Sequence, residues 1–366
     1  MRILVLGGTG AMGDPLVKLL GERGDEVYVT SRRMHDSNGN IQFIQGDAHN
    51  LSFIQQELNK NYDAIVDFMI YRTEDFKERS KLYLKSTGHY IFLSSARVYA
   101  DSQTPITETS PRLLDVCNDA DYLKTDEYAL AKARSENILF DSGRKNWTII
   151  RPYITYNTKR LQLGGMELGM WLTAVLSGRP LALPKDIGMH TTTMTYGTDV
   201  AKAMVALIGN NRALGEAFHI TGTDHMKWRD VAEVYRDVIE EQTGHRPELY
   251  TPDTSDRLTA IMGNAMQIKY DRTYDRVFDN TKLLTACGQD LNFTPMKNGL
   301  SYCLNEYLNL FEEQKVKTHY IMYDAWLDKS TGKAASIREF DSAKEKLKYI
   351  GYYYAPGIMN ILKKLK

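Results

Sequence analysis

The chain is poor in cysteine, carries no excess of either charge and lacks any long apolar run. Its three cysteines, Cys117, Cys287 and Cys303, lie far apart and at no metal-ligand spacing. That excludes a disulfide framework, gives no metal site, and suits a reducing, cytoplasmic setting. Lysine plus arginine and aspartate plus glutamate are equal at 46 each, so no nucleic-acid partner is expected. No stretch is apolar enough for long enough to span a bilayer, and the first strand starts at Ile3. Neither an integral membrane segment nor a secretory leader is expected. Repeats and low-complexity runs are also missing. A chain of 366 residues of this kind can bury a large core, in one domain or two closely joined ones.

What is present begins at the N-terminus. Ile3–Leu6 is a short aliphatic run that suits a strand buried on both faces. Gly7, Gly10 and Gly13 follow at three-residue spacing, and Asp14–Leu20 reads as a helix. Strand, glycine turn and helix in this order make a dinucleotide site. The first glycine permits the tight turn, the second lets the backbone approach a pyrophosphate, and the third brings helix against strand. The helix N-terminus presents N–H groups and a positive dipole end to phosphate.

The second strand, Glu26–Val29, runs into Thr30, Ser31, Arg32 and Arg33. An acidic residue at this strand end would hold both ribose hydroxyls of NAD and repel a 2′-phosphate. Ser31, Arg32 and Arg33 offer charge-assisted bonds to such a phosphate instead, which favours NADP(H) over NAD(H). The alternative is that both arginines are solvated loop residues. Ile41–Ile44 is a third strand, followed by Gly46, Asp47 and Ala48, where Asp47 could bind an adenine amino group. Leu51–Leu58 reads as a helix, Asp63–Phe68 as a strand, Phe76–Lys85 as a helix and Tyr90–Leu93 as a strand entering Ser94-Ser95-Ala96-Arg97-Val98-Tyr99. Asp126–Glu136 is a helix without Gly or Pro, on which Tyr128 and Lys132 stand one turn apart. Trp147–Ile150 is the sixth strand, ending in Arg151-Pro152-Tyr153. Strands alternating with helices predict an α/β fold, a Rossmann-like, doubly wound parallel sheet, with ligands beyond the carboxyl ends of the strands.

In this order the motifs resemble the extended short-chain dehydrogenases/reductases, which include nucleotide-sugar epimerases and reductases. The likeness rests on Gly7-x-x-Gly10-x-x-Gly13, Ser94–Tyr99, Tyr128-x-x-x-Lys132, Arg151-Pro152-Tyr153 and Asp199-Val200-Ala201, and runs from Met1 to about Thr223. It implies that Tyr128 is the acid/base, that Lys132 holds the nicotinamide ribose, and that Ser95 assists the substrate oxygen. It also implies a nucleotide-sugar substrate and a homodimer built on helices such as the one holding Tyr128. The candidate cofactor set is Gly7, Thr9, Gly10, Ala11, Met12, Gly13, Ser31, Arg32, Arg33, Asp47, Ala48, Phe68, Met69, Tyr128, Lys132, Pro152 and Tyr153. The expected domains are an NAD(P)-binding one over 1–155, with 190–222 returning to it, and a substrate domain with C-terminal extension over 156–189 and 223–366.

The chemistry can also be argued from the residues. Reduction of a ketone needs a proton for the developing alkoxide. A free tyrosine, with a pKa near 10, exchanges it slowly at neutral pH; lowering that by about three units takes roughly 4 kcal/mol in favour of the phenolate. Lys132 and an oxidised nicotinamide are two positive charges able to supply it, and Ser95 would hydrogen-bond the same oxygen. Departures from the family narrow the reaction. Dehydratases carry an acidic pair directly after the Ser or Thr, where this chain has Ala96 and Arg97, which removes the acid and base of elimination. Asp67-Phe68-Met69-Ile70 stands where the family usually has His-Leu-Ala-Ala, and the bulk should narrow the space beside the nicotinamide. Leu113–Lys124 is expected to be an inserted loop at the mouth of the site.

Past Asn157 the pattern breaks. Met166–Leu176 reads as amphipathic, and Thr191–Ala201 as a return to the sheet that starts a helix, with Asp199 structural at the helix start. Ala217–Gly222 is a strand, Lys227–Asp230 opens a helix, and Pro247–Asp253 is a strand and loop. His190 reads as a satisfied residue rather than a substrate contact, and nothing selects Arg257, Lys269 or Arg272 as diphosphate ligands. The basic, tyrosine-rich stretch from about Lys315 to Lys366 is expected to pack on the protein rather than on a membrane surface. The leading expectation is an NADP(H)-dependent oxidoreductase reducing a keto group on a nucleotide-linked sugar. An epimerase is second, and a non-catalytic nucleotide- or RNA-binding relative, as in chloroplast stem-loop-binding proteins, is third.

Overall fold

The computed structural model describes residues 1–288, 291–310 and 319–364. Residues 315–318, 365 and 366 of the basic C-terminal stretch fall outside it. Contacts divide the chain into two units: 1–157, 193–225 and 276–296 form the first, and 158–192, 226–275 and 297–366 the second.

The first unit is a seven-stranded sheet, β1 (Arg2–Leu6), β2 (Glu26–Ser31), β3 (Ile41–Gln45), β4 (Tyr62–Asp67), β5 (Thr87–Leu93), β6 (Trp147–Pro152) and β7 (Glu216–Ile220). Its order is β7-β6-β5-β4-β1-β2-β3, and every neighbouring pair is parallel. This is the doubly wound topology expected. β1 and β4 are neighbours although α1 (Gly13–Glu22), β2, β3 and α2 (Leu51–Leu58) separate them in sequence. The winding therefore reverses between them, and a crevice opens beyond their carboxyl ends. Ile3, Leu4, Val5 and Leu6 are wholly buried because helices cover both faces. One face packs on α1 and α5 (Gly197–Leu207), through Leu16, Leu20, Val200 and Met204. The other packs on α2 and α3 (Thr73–Ser86), through Ile54, Phe76 and Tyr83.

Three readings need correction here. The segment 276–296 was expected on the substrate side and belongs to the first unit. Asn280 exchanges hydrogen bonds with Thr221, Lys282 binds Glu216, and Leu283 enters the sheet's core. Thr191–Ala201 returns to the first unit from Thr193 and starts α5 as expected, but it pairs with Thr155–Tyr156 and not with the seven-stranded sheet, which the chain re-enters only at β7. Asp199, in the first turn of α5, accepts from the Thr294 N–H at 2.6 Å. Leu113–Lys124, expected to be an inserted loop, is partly helical. It holds two single helical turns, Leu113–Val116 and Ala120–Leu123. Arg112 at its start donates to Glu136 and Asn137, and Arg134 donates to the Leu123 carbonyl at its end, so α4 (Tyr128–Phe140) fastens both sides.

The second unit is mainly helical, with two-residue ladders such as Leu181–Ala182 on Leu249–Tyr250. Its helix Leu168–Leu176 is apolar on almost every side rather than amphipathic, and Trp171 stacks on Tyr235 at 4.8 Å. The Arg179 guanidinium is buried against Asp328 at 2.9 Å and pairs with Glu339. His190 faces Asp275, and Arg272 is spent on the Gly164 carbonyl, Gln162 and Asp271. No helix among the described residues is long and apolar enough to cross a membrane.

Candidate functional site

The glycine turn leaves β1 with Gly7 at φ +71°, a conformation that L side chains rarely adopt. Gly13 is held for packing. A Cβ there would stand 2.5 Å from the Gly8 carbonyl carbon, so the start of α1 lies directly against the turn. At Gly10 a Cβ would meet nothing within 4 Å, and no side chain caps the α1 N-terminus. An open approach over an uncapped helix N-terminus fits a pyrophosphate.

An open cleft of about 750 Å³ runs from this turn along the ends of β2, β3 and β4. Gly7, Thr9, Ser31, Arg32, Arg33, Asp47, Ala48 and Met69 of the candidate set line it, together with Thr30, His35, Gly46 and His49, which sequence reasoning missed. Arg32 and Arg33 are exposed, and among the described residues neither makes a salt bridge. The Ser31 hydroxyl accepts from the Arg33 N–H at 3.1 Å and meets the His35 ring at 3.0 Å. Asp47 accepts from the His49 N–H at 2.9 Å, which leaves one carboxylate oxygen for a ligand. Behind this loop the buried Arg79 guanidinium donates to the carbonyls of Ala48 and His49, so α3 holds the cleft wall in place.

The remaining candidates sit elsewhere. Ala11 backs onto Gly197 at the start of α5, and Met12 Sδ accepts from the Thr155 hydroxyl. Phe68 packs on the core beside α1. Pro152 ends β6, and the Tyr153 ring is buried on Phe278, so it presents no side chain to the cleft. Met69 covers Gly7, its Sδ 2.9 Å from where a Cβ would stand.

The reactive candidates gather where β4, β5 and α4 meet. Tyr128 begins α4 and is half-buried. Lys132, one turn on, is buried with Nζ 5.9 Å from the Tyr128 ring centre. Its ammonium donates to the Leu93 carbonyl at 2.6 Å and the Met69 carbonyl at 3.3 Å. Burial pulls its pKa down to about 8, against the opposing pull of Asp67 and Glu136. Ser95 stands two residues past β5, at the start of the single turn Ala96–Val98, and its Oγ accepts from the Arg97 N–H at 3.2 Å, which leaves its own hydroxyl hydrogen for another acceptor.

Two parts of this centre were not read from sequence. The Arg97 guanidinium lies 5.3 Å from the Tyr128 ring centre and pairs with Glu127 at 2.6 Å. Glu127 in turn caps α4 through the Ala129 N–H. The second part is Asp67, wholly buried and held by Tyr90 at 2.7 Å, Tyr71 at 3.2 Å and the Met69 N–H at 2.9 Å. Burial raises its pKa above the usual carboxylate range. The unusual Asp67 was visible in sequence; its tyrosine partners were not, because Tyr71 lies in the loop after β4 and Tyr90 on β5, and only the fold turns both hydroxyls onto it. Below, Glu136 accepts from Ser94, Arg151 and Arg112, which ties α4 to β5 and β6. Among the described residues no group of acidic, histidine and cysteine side chains could hold a metal ion.

Comparison with known proteins places the chain in a family. The family model described as the NAD dependent epimerase/dehydratase family matches residues 3–221. The chain is 25% identical over 249 residues to the chloroplast stem-loop binding protein of 41 kDa b of Arabidopsis thaliana, covering 63% of this chain and 61% of that one. It is 22% identical over 246 residues to the 2'-dehydrokanamycin reductase of Streptomyces kanamyceticus, covering 64% and 65%. The match thus spans less than two thirds of either relative. Among solved structures, UDP-glucuronic acid 4-epimerase from Bacillus cereus, in complex with UDP-glucuronic acid and NAD, superposes with a TM-score of 0.62 at 18% identity. That alignment covers 85% of this chain and 100% of the epimerase. With the glycine turn, the Ser95 strand end and the Tyr128–Lys132 pair all within the matched region, the chain belongs to the NAD dependent epimerase/dehydratase family of extended short-chain dehydrogenases/reductases.

Proposed function

We propose that this chain is an NADP(H)-dependent oxidoreductase that reduces a keto group on a nucleotide-linked sugar, with Tyr128 as its acid/base. The observation that carries the reading is the setting of Tyr128, whose ring has the Lys132 ammonium and the Arg97 guanidinium within 6 Å. Two cations favour a developing phenolate. Gly7, Thr9 and the turn around Gly10 would hold the cofactor pyrophosphate, and Ser31, Arg32 and Arg33 a 2′-phosphate. Bound nicotinamide supplies the hydride. Tyr128 passes a proton to the substrate oxygen, Ser95 donates a hydrogen bond to that oxygen, and Lys132 keeps positive charge beneath the phenol. The second unit is read as the substrate-binding part.

An epimerase is the second reading, supported by the name of the solved neighbour. A binding protein without turnover is the third, supported by the stem-loop-binding relative. The deciding experiment measures which nucleotide the purified protein carries and its affinities for NADPH and NADH. A preference for NADPH of about tenfold, about 1.4 kcal/mol, with free exchange supports the reductase. A retained, non-exchanging NAD moves the assignment to epimerase. Absence of any nicotinamide binding removes both enzyme readings. Tyr128→Phe should retain the nucleotide and lose turnover of keto-sugar nucleotides by about a hundredfold or more.

A further inference from the structure

The end of the second unit is a pair of helices, Ala343–Tyr354 and Pro356–Lys364, joined through Ala355. The first is anchored on one side. Tyr349 is buried against Phe340, and its hydroxyl donates to Asp328 at 2.7 Å. The two helices touch where Met359 closes on Gly351, which has no side chain to keep it away. Among the described residues, little covers their other sides. Leu347, Ile350 and Tyr354 on the first helix, and Ile358, Ile361 and Leu362 on the second, are between 38% and 71% exposed. Within each helix these positions follow i, i+3, i+7 and i, i+3, i+4 spacing, so each helix carries an outward apolar stripe. The expectation that this stretch packs on the protein holds for Ala325, Phe340, Tyr349, Tyr352 and Tyr353, which share one cluster, and does not extend to the stripes.

The charge around the stripes is mostly positive. From Ser342 to Lys366 the sequence has six lysines (Lys344, Lys346, Lys348, Lys363, Lys364 and Lys366) and one acidic residue, Glu345, in a chain whose total is neutral. Beyond Glu345 no acidic residue occurs. Tyr352 and Tyr353 pack inward beside Tyr349. Apolar stripes, lysines and an exposed tyrosine, Tyr354, are the composition of helices that lie in a lipid headgroup layer. There aliphatic side chains enter the acyl boundary, and lysines and tyrosines meet phosphate and water. A second copy of the chain fits worse, because a two-fold interface would set lysine against lysine.

We propose that the helix pair 343–364 is a peripheral membrane-binding element that docks the protein on an anionic phospholipid surface without crossing it. The test is co-sedimentation of the full chain with phosphatidylcholine vesicles, with and without phosphatidylglycerol. The expected result is binding at least about tenfold stronger to the anionic vesicles, falling steeply at high salt. Leu347→Glu/Ile358→Glu/Ile361→Glu should abolish it. So should Lys344→Glu/Lys346→Glu/Lys348→Glu, which leaves the apolar stripes intact. All six side chains are exposed or lie outside the packed core, so circular dichroism and thermal melting should match the parent. The proposal is overturned by equal binding to neutral and anionic vesicles, or by none to either. It is also overturned if light scattering shows a dimer that the apolar triple variant turns into a monomer, which would make the stripes a self-association surface. Binding to acidic proteins but not to anionic vesicles would overturn it as well.

Discussion

Arg151→Met should loosen the helix that carries Tyr128 and Lys132. The Arg151 guanidinium and the Glu136 carboxylate are 2% and 0% exposed. They meet through two charge-assisted bonds, Nε to Oε1 at 2.7 Å and Nη2 to Oε2 at 2.8 Å. Removing the arginine leaves a buried carboxylate with Ser94 at 2.6 Å and Arg112 at 3.1 Å, and takes a partner from the Tyr99 hydroxyl. Breaking a buried pair from one side typically costs about 3–5 kcal/mol, since the surviving charge stays desolvated. The surviving arginine, Arg112, places the expected loss at the lower end. Removing both charges in Arg151→Met/Glu136→Met should cost less than the single change, because no desolvated charge remains. Hydrogen exchange followed by mass spectrometry on peptides covering Tyr128–Phe140 and Trp147–Pro152 reads the opening free energy locally, which avoids assuming that both units unfold together. A loss below about 1 kcal/mol in the single variant, or a double variant worse than the single, would refute the reasoning.

Acid should destabilise the first unit through two buried histidines. His89 Nδ1 accepts from the Gly209 N–H, and Thr148, whose hydroxyl is committed to the Ala213 carbonyl, takes the Nε2 hydrogen. Burial lowers the pKa of His89, and likewise of His219, to about 4. The unfolded chain therefore binds more protons between about pH 6.5 and 4, and stability falls as pH drops through that window, by up to about 3 kcal/mol per ring. Urea midpoints across the range should show this, with a shallower slope in His89→Gln. Gly10→Ala should leave folding intact and weaken nucleotide binding about tenfold or more, because its Cβ would point into open approach space; Gly13→Ala should lower the melting temperature as well, because its Cβ collides with backbone. Arg97→Met should lower kcat/KM about tenfold, about 1.4 kcal/mol, while nucleotide affinity measured by titration stays the same.

Much of the nucleotide-binding unit was legible because its determinants are local. An aliphatic run, a glycine turn and a helix follow one another within β1 and α1, and the alternation continues to β6, so the succession of elements and their parallel pairing followed from periodicity and winding rules. The strand ends at Gly7, Ser31 and Asp47 were readable for the same reason, and the structure lines one cleft with them. Only the tertiary structure decided which groups surround Tyr128 and Lys132. Arg97 was seen in sequence as a missing carboxylate, and its place over the Tyr128 ring depends on Glu127, thirty positions away. Asp67 meets Tyr71 from the loop after β4 and Tyr90 from β5, and Arg79 reaches across from α3 to hold the cleft loop. The return of 276–296 to the first unit, through Asn280 and Leu283, and the outward stripes of the last two helices were equally hidden. A sequence pattern reports which face of a helix is apolar. Whether the rest of the chain covers that face depends on long-range packing, which local periodicity does not encode.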